Sequence, residues 1–140
     1  MDLDKQLLET YGKLVELKCH SAHKFDRECQ LKDLTLIQVE YLKIIDTHEY
    51  ITISTLAKEI NNSKPTVTEM VKKFIAVDCV YKVKCNEDAR KAYLKLTSRG
   101  EKIARMEQHV LKAVVTKMIN NLSKEEIVSL SYLIEKAVRD

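Results

Sequence analysis

Two glycines, Gly12 and Gly100, and a single proline, Pro65, are the only residues of either kind in 140 positions. A chain so poor in turn formers cannot close the many tight turns of an all-β fold. Long helices are the natural outcome. One domain of this length also buries a core without metal or disulfide staples. With 45% hydrophobic and 32% charged residues, the composition is that of a globular chain rather than a disordered one.

Apolar periodicity divides the chain. Leu3, Leu7, Leu8, Tyr11, Leu14, Val15, Cys19 and Ala22 form a helical stripe, and the charged stretch 24–34 then reads as a loop. A second helix begins near Thr35 and is apolar nearly all round, through Leu36, Ile37, Val39, Leu42, Ile44 and Ile45, as suits a buried centre. Ile51-Thr52-Ile53 predicts a short strand, followed by a two-turn helix over Ser54–Ile60. Asn61-Asn62 breaks that helix. Ser63 is an N-cap for the next one, which tolerates Pro65 in its first turn. Residues 80–85 and 92–97 alternate with period two around the polar turn 86–90, a β-hairpin. One long helix then runs from Ser98 to about Asn120, and Ser123-Lys124-Glu125-Glu126 caps a last one.

The predicted class is mainly α with a small β-hairpin. One domain covers 1–140, with a winged helix-turn-helix lobe over 35–100. The helices of 1–34 and 101–140 carry apolar stripes that a small lobe would leave uncovered, so a second copy of the chain in a two-fold dimer is the expected partner.

Net charge is only +3, but it is unevenly placed. Lys64, Lys72, Lys73, Lys82, Lys84, Arg90, Lys91, Lys95, Arg99 and Lys102 outweigh Glu69, Asp78, Glu87, Asp88 and Glu101 in the middle of the chain. That is the footprint of a phosphate-binding surface. The N-terminus lacks the shape of a signal peptide, and no apolar run is long enough to span a membrane, so a soluble cytoplasmic protein is expected. Its four cysteines are then expected to be reduced thiols.

Two short helices and a hairpin with a basic tip suit double-stranded DNA. The second helix fits the major groove, and the hairpin places its tip in the minor groove, where negative potential is concentrated. At about 100° per residue, Val67, Met70, Val71 and Phe74 point inward. Pro65, Glu69 and Lys72 lie opposite, flanked by Thr66, Thr68 and Lys73. Thr66, Thr68, Glu69 and Lys72 are thus the residues for base edges, with Glu69 able to accept from cytosine N4. Lys64 and Lys73 are placed for phosphates, and Ser63 and Pro65 at the start of the helix are counted with the DNA-binding residues. An isolated helix of this kind would read simply as a solvated amphipathic face; the strand-helix-helix-hairpin context favours DNA.

Ser54-Thr55-Leu56-Ala57, Ser63-Lys64-Pro65-Thr66-Val67-Thr68, Asp88-Ala89-Arg90 and Leu94-Lys95-Leu96-Thr97-Ser98-Arg99-Gly100 stand in that order. In these residues the stretch Leu36–Gly100 resembles the multiple-antibiotic-resistance regulator (MarR) family of bacterial and archaeal repressors. The last two segments resemble its wing signature, Asp-x-Arg followed by Leu-x-Leu-Thr-x-x-Gly. The resemblance implies that Arg90, beside Lys91, enters the minor groove and that Asp88 helps to hold it. It also implies dimerisation through the first helix and the last two, a palindromic operator, repression, and release by a small-molecule effector. The chain departs from the pattern in three places: Glu69 in the reading face, Asp78 where glycine is usual, and the acidic pair Glu87-Asp88 at the wing tip.

Cys19, His20, His23 and Cys29 cluster in the first part of the chain. Plain packing is the default for Cys19, at the edge of the apolar stripe. Thiol sensing at Cys19 and metal sensing through Cys19, His23 and Cys29 are the sharper alternatives, although the spacing matches no standard metal finger. No cofactor is expected. An enzyme is disfavoured by the lack of a Gly-rich phosphate loop, nucleophile motif or recognisable carboxylate pair. A winged-helix module that binds protein instead of DNA is the remaining rival.

Overall fold

The computed structural model describes residues 2–140. Its elements are α1 (Leu3–Cys29), a 3-10 turn (Leu31–Asp33), α2 (Leu36–Asp46), α3 (Ile53–Glu59), α4 (Lys64–Ala76), β1 (Val80–Lys84), β2 (Ala92–Leu96), α5 (Ser98–Ala104), α6 (Met106–Asn121) and α7 (Lys124–Ala137). They divide into two compact units. One joins the chain up to Phe25 with Glu107–Asp140; the other is Asp26–Met106. The predicted class, mainly helical with one hairpin, holds.

The unit Asp26–Met106 carries the lobe. Its core is Leu42, Ile45, Ile51, Leu56, Val67, Val71, Phe74, Leu94 and Ile103, each 2% exposed or less. Full burial of one such side chain contributes about 1.5–3 kcal/mol before conformational entropy is subtracted. The helix starts are capped as their sequences require. Thr35 and Gln38 form a reciprocal capping box on α2, and the Thr52, Ser63 and Thr97 hydroxyls each accept a first-turn N–H. β1 and β2 pair antiparallel from Val80↔Leu96 to Lys84↔Ala92.

Four local expectations are corrected. The 24–34 loop is largely helix, because Phe25 and Cys29, one turn apart and both buried, continue the apolar stripe while the charges between them stay in solvent. The strand at 51–53 shrinks to one bridge, Ile51↔Leu94, since Thr52 is already the N-cap of α3. The second helix is apolar in composition but buries only Val39, Leu42 and Ile45; Leu36 and Ile37 face out. The long helix from Ser98 is interrupted at Arg105, whose backbone leaves helical geometry (φ −98°, ψ 22°). There the Arg105 guanidinium grips both carboxylate oxygens of Asp46, at 3.0 and 2.8 Å.

His48 ties α2 to α3. Its Nδ1 lies 2.8 Å from the Ile44 carbonyl oxygen and its Nε2 2.6 Å from a Glu59 carboxylate oxygen. The Ile44 carbonyl, and then Glu59, raise its pKa above the ordinary 6.5 against the opposing effect of burial. Two acceptors on one ring favour the imidazolium, the form in which both nitrogens donate.

In the other unit, Phe25, Val110 and Val114 are buried, and His109 stacks on Phe25 with ring centroids 5.7 Å apart. Ser123 and Glu126 form the expected capping box on α7. Much of this unit's apolar surface stays open. Leu7 and Leu8 are 70% and 71% exposed, with Tyr11, Leu111, Ile119, Leu133 and Val138 also outside. Two apolar grooves cross it: about 290 Å3 beside Leu14, Val115 and Met118, and about 570 Å3 beside Leu7, Leu8 and Val138. No helix among the described residues is long and apolar enough to cross a membrane.

Candidate nucleic-acid interface

The turn between α3 and α4 is built by asparagines. Asn61 takes a left-handed conformation (φ 53°), and the Asn62 N–H donates to the Ala57 carbonyl at 3.0 Å, closing α3. The Asn62 side chain accepts the Ser63 N–H at 2.9 Å. Ser63 then caps α4 by accepting from the Thr66 N–H, while the two hydroxyls meet at 2.7 Å.

Val67, Val71 and Phe74 of α4 are buried and Met70 is half-buried, so the inward face is the expected one. Lys64, Pro65, Thr66, Glu69, Lys72 and Lys73 are exposed. Several of them are already engaged. Thr68, half-buried, donates its hydroxyl to the Lys64 carbonyl at 2.8 Å, leaving its methyl and its oxygen lone pairs for a ligand. Lys72 pairs with Glu69 at 3.0 Å, so the centre of the outward face is a neutralised pair rather than a bare acid. Lys73 reaches sideways to the Gln38 side chain at 3.2 Å.

In the wing, Asp88 accepts the backbone N–H of Arg90 at 2.9 Å, and the Lys91 N–H donates to the Asp88 carbonyl at 3.0 Å. Asp88 therefore shapes the turn through the backbone. Among the described residues the Arg90 guanidinium is in no ion pair and stands exposed at the tip with Lys91.

Two cations counted as phosphate-facing prove to be structural. Arg99 donates to the carbonyls of Val77 and Gln30 at 3.1 and 3.4 Å, and to that of Cys29. Lys95 donates to the Glu49 carbonyl and lies 4.6 Å over the Tyr50 ring. Conversely, α3 contributes Ser54, Thr55 and Lys58 to a cleft shared with Lys82, Arg90 and Lys91, and none of the three is among the DNA-contact residues expected from the sequence. The available signal was their helical spacing, which puts Lys58 a turn beyond Ser54 and Thr55 on one flank.

The cysteines differ. Burial pushes the Cys29 and Cys79 thiols up, whereas the Tyr93 hydroxyl, 3.3 Å from Cys85, is the main cause of a lowered Cys85 pKa. Cys19 is exposed, not packed. Among the described residues no group of three or more His, Cys, Asp or Glu side chains is gathered to hold a metal, so Cys19, His23 and Cys29 are not brought together.

Comparison with known proteins follows the same outline. Residues 34–92 match the profile of the MarR family. A 70-residue stretch is 23% identical to an uncharacterized HTH-type transcriptional regulator, YhjH, of Bacillus subtilis (strain 168), covering 50% of this chain and only 40% of that relative. The fold resembles Streptococcus pneumoniae FabT, solved in complex with DNA (TM-score 0.57, 24% identity, 96% of this chain and 92% of that one). It also resembles a mutant of E. coli MarR complexed with operator DNA (TM-score 0.53, 21% identity, 99% and 100%). Over residues 34–92 the chain is similar to the MarR family.

Proposed function

We propose that this protein is a DNA-binding transcriptional regulator that works as a homodimer on a palindromic operator. The observation that carries the reading is the exposed Arg90, in no ion pair among the described residues, at the tip of a wing whose turn is shaped by Asp88. A guanidinium so presented suits the negative potential of a narrow minor groove. The α4 face of Thr66, Thr68, Glu69 and Lys72 meets base edges, with Ser63, Lys64 and Lys73 toward phosphates. The open apolar surface of α1, α6 and α7 supports the dimer, because contiguous exposed apolar patches mark association surfaces. Half-sites then lie about one helical turn apart.

The family resemblance supports repression, relieved by a small molecule or by oxidation of the exposed Cys19 thiol. The scattered Cys19, His23 and Cys29 offer no support for metal sensing.

A gel shift on random-sequence duplex at increasing salt tests DNA binding. The expected result is a complex at low salt whose affinity falls steeply as salt rises. No complex even at low salt contradicts the reading and assigns the lobe to protein interaction.

A further inference from the structure

His48 is the only histidine of the unit Asp26–Met106; His20, His23 and His109 belong to the other unit. Its ring stands at the ends of two helices at once. The Ile44 carbonyl that meets Nδ1 lies in the last turn of α2, and Glu59, which meets Nε2, is the last residue of α3. Both helices turn the negative ends of their dipoles toward the ring, and the Glu59 carboxylate adds a full charge of the same sign. α3 needs such a tie. It has seven residues, too few to hold a helix unaided, and Lys58 and Glu59 beyond its buried Leu56 and Ala57 are exposed. Two residues after Glu59 begins the Asn61-Asn62 turn into α4. The other charges around the ring are engaged or stand apart. His48 shares a cleft of about 180 Å3 with Asp46, Lys95, Glu101, Arg105 and Tyr81. There Asp46 is held by Arg105, and Lys95 donates to the Glu49 carbonyl. Lys43 on α2 pairs with Glu40, Lys58 lines the cleft beside the wing, and the Glu49 residue is exposed.

The imidazolium donates from both nitrogens and satisfies both acceptors, whereas a neutral ring donates from one. With the proton on Nδ1, an Nε2 lone pair faces the Glu59 carboxylate at 2.6 Å. With the proton on Nε2, an Nδ1 lone pair faces the Ile44 carbonyl at 2.8 Å. The Thr47 hydroxyl, 3.1 Å from Nδ1, then has to leave that same carbonyl, to which it donates at 2.7 Å. No arrangement of the neutral ring keeps both ties. We propose that His48 is a proton switch on the reading head: protonated, it clamps the end of α3 to the end of α2 and holds α4 ready for DNA, and loss of the proton releases α3 and weakens the complex. The switch rests on the DNA-binding reading above and adds its regulation. The Ile44 carbonyl, and then Glu59, raise the pKa of the ring above the ordinary 6.5 against burial, so release comes as pH rises through that higher value.

Two measurements on the full chain test the switch. The ring protons of His48 are followed by NMR through a pH titration of the wild type and of Glu59→Gln. The midpoint should lie above 6.5 in the wild type and fall in the variant. In parallel, wild type, His48→Gln and Glu59→Gln are titrated with a labelled random-sequence duplex across the same pH series at one low ionic strength. Wild-type affinity should fall as pH rises, by about threefold for each half unit by which the bound protein holds the proton more tightly. Both variants should give flatter profiles. The Cys85 thiol, whose pKa the Tyr93 hydroxyl lowers, is common to all three proteins and drops out of the comparison. A His48 midpoint at or below 6.5, or one that Glu59→Gln leaves in place, overturns the clamp. Parallel profiles for wild type and His48→Gln, with wild-type binding intact, overturn the switch and leave the DNA-binding reading standing. No wild-type binding at any pH overturns both readings together.

Discussion

A Cβ on Gly100 would stand 2.0 Å from the carbonyl oxygen of Cys79, inside any permissible contact. That oxygen also accepts the Thr97 N–H at 3.0 Å, while the Thr97 hydroxyl donates to the Asp78 carbonyl at 2.6 Å and accepts from the Gly100 N–H at 3.0 Å. Thr97 and Gly100 therefore weld the first turn of α5 to the chain leaving α4. Gly100→Ala should destabilise the protein by about 1–3 kcal/mol, the usual cost of forcing a methyl into packed structure. Thr97→Val should cost about 1–2 kcal/mol through the lost cap. Urea unfolding reads both; a wild-type midpoint in Gly100→Ala would contradict the contact.

This weld shows what the sequence discloses and what it withholds. Thr97 and Gly100 were visible as part of a family signature, but only coordinates reveal that Gly100 yields space to a backbone carbonyl. Ser63 and the two faces of α4 were legible because capping and a 3.6-residue period are local properties. Arg99 and Lys95 were misread because composition counts a cation without showing that it bends back to carbonyls far away in sequence. The end of α1 was misread for a related reason: Asp26, Arg27 and Glu28 obscure a stripe resumed by Cys29. The cleft joining Lys58 to Lys82 depends on α3 packing beside the hairpin, which no local pattern encodes.

Asp78 adopts a left-handed backbone conformation, φ 59°, where glycine pays no steric penalty. Asp78→Gly should therefore stabilise the lobe, by about 0.5–1 kcal/mol. A thermal melt checks the sign. A lower Tm would show that the aspartate makes a compensating interaction.

His48 makes stability depend on pH. Its folded pKa is raised, so its contribution is fully present below the ordinary 6.5 and is lost as pH rises through the higher folded value. Urea midpoints should fall across that window in the wild type and vary less in His48→Gln. Parallel profiles for the two proteins would refute the coupling to Ile44 and Glu59.

Removing Arg90 should not disturb the fold, because its guanidinium is in no ion pair among the described residues. Arg90→Ala should weaken operator binding by about 1–3 kcal/mol while leaving oligomeric mass and Tm unchanged. Fluorescence anisotropy and light scattering measure the two; undiminished affinity would remove Arg90 from the interface.

The most direct measurement is selection from randomised duplex DNA with wild-type protein and Glu69→Ala in parallel. The wild type should enrich a palindromic motif. The variant should show a shifted base preference, since Glu69 and its partner Lys72 lie on the outward face of α4. Failure of the wild type to enrich any sequence would contradict the central claim that this winged helix reads DNA.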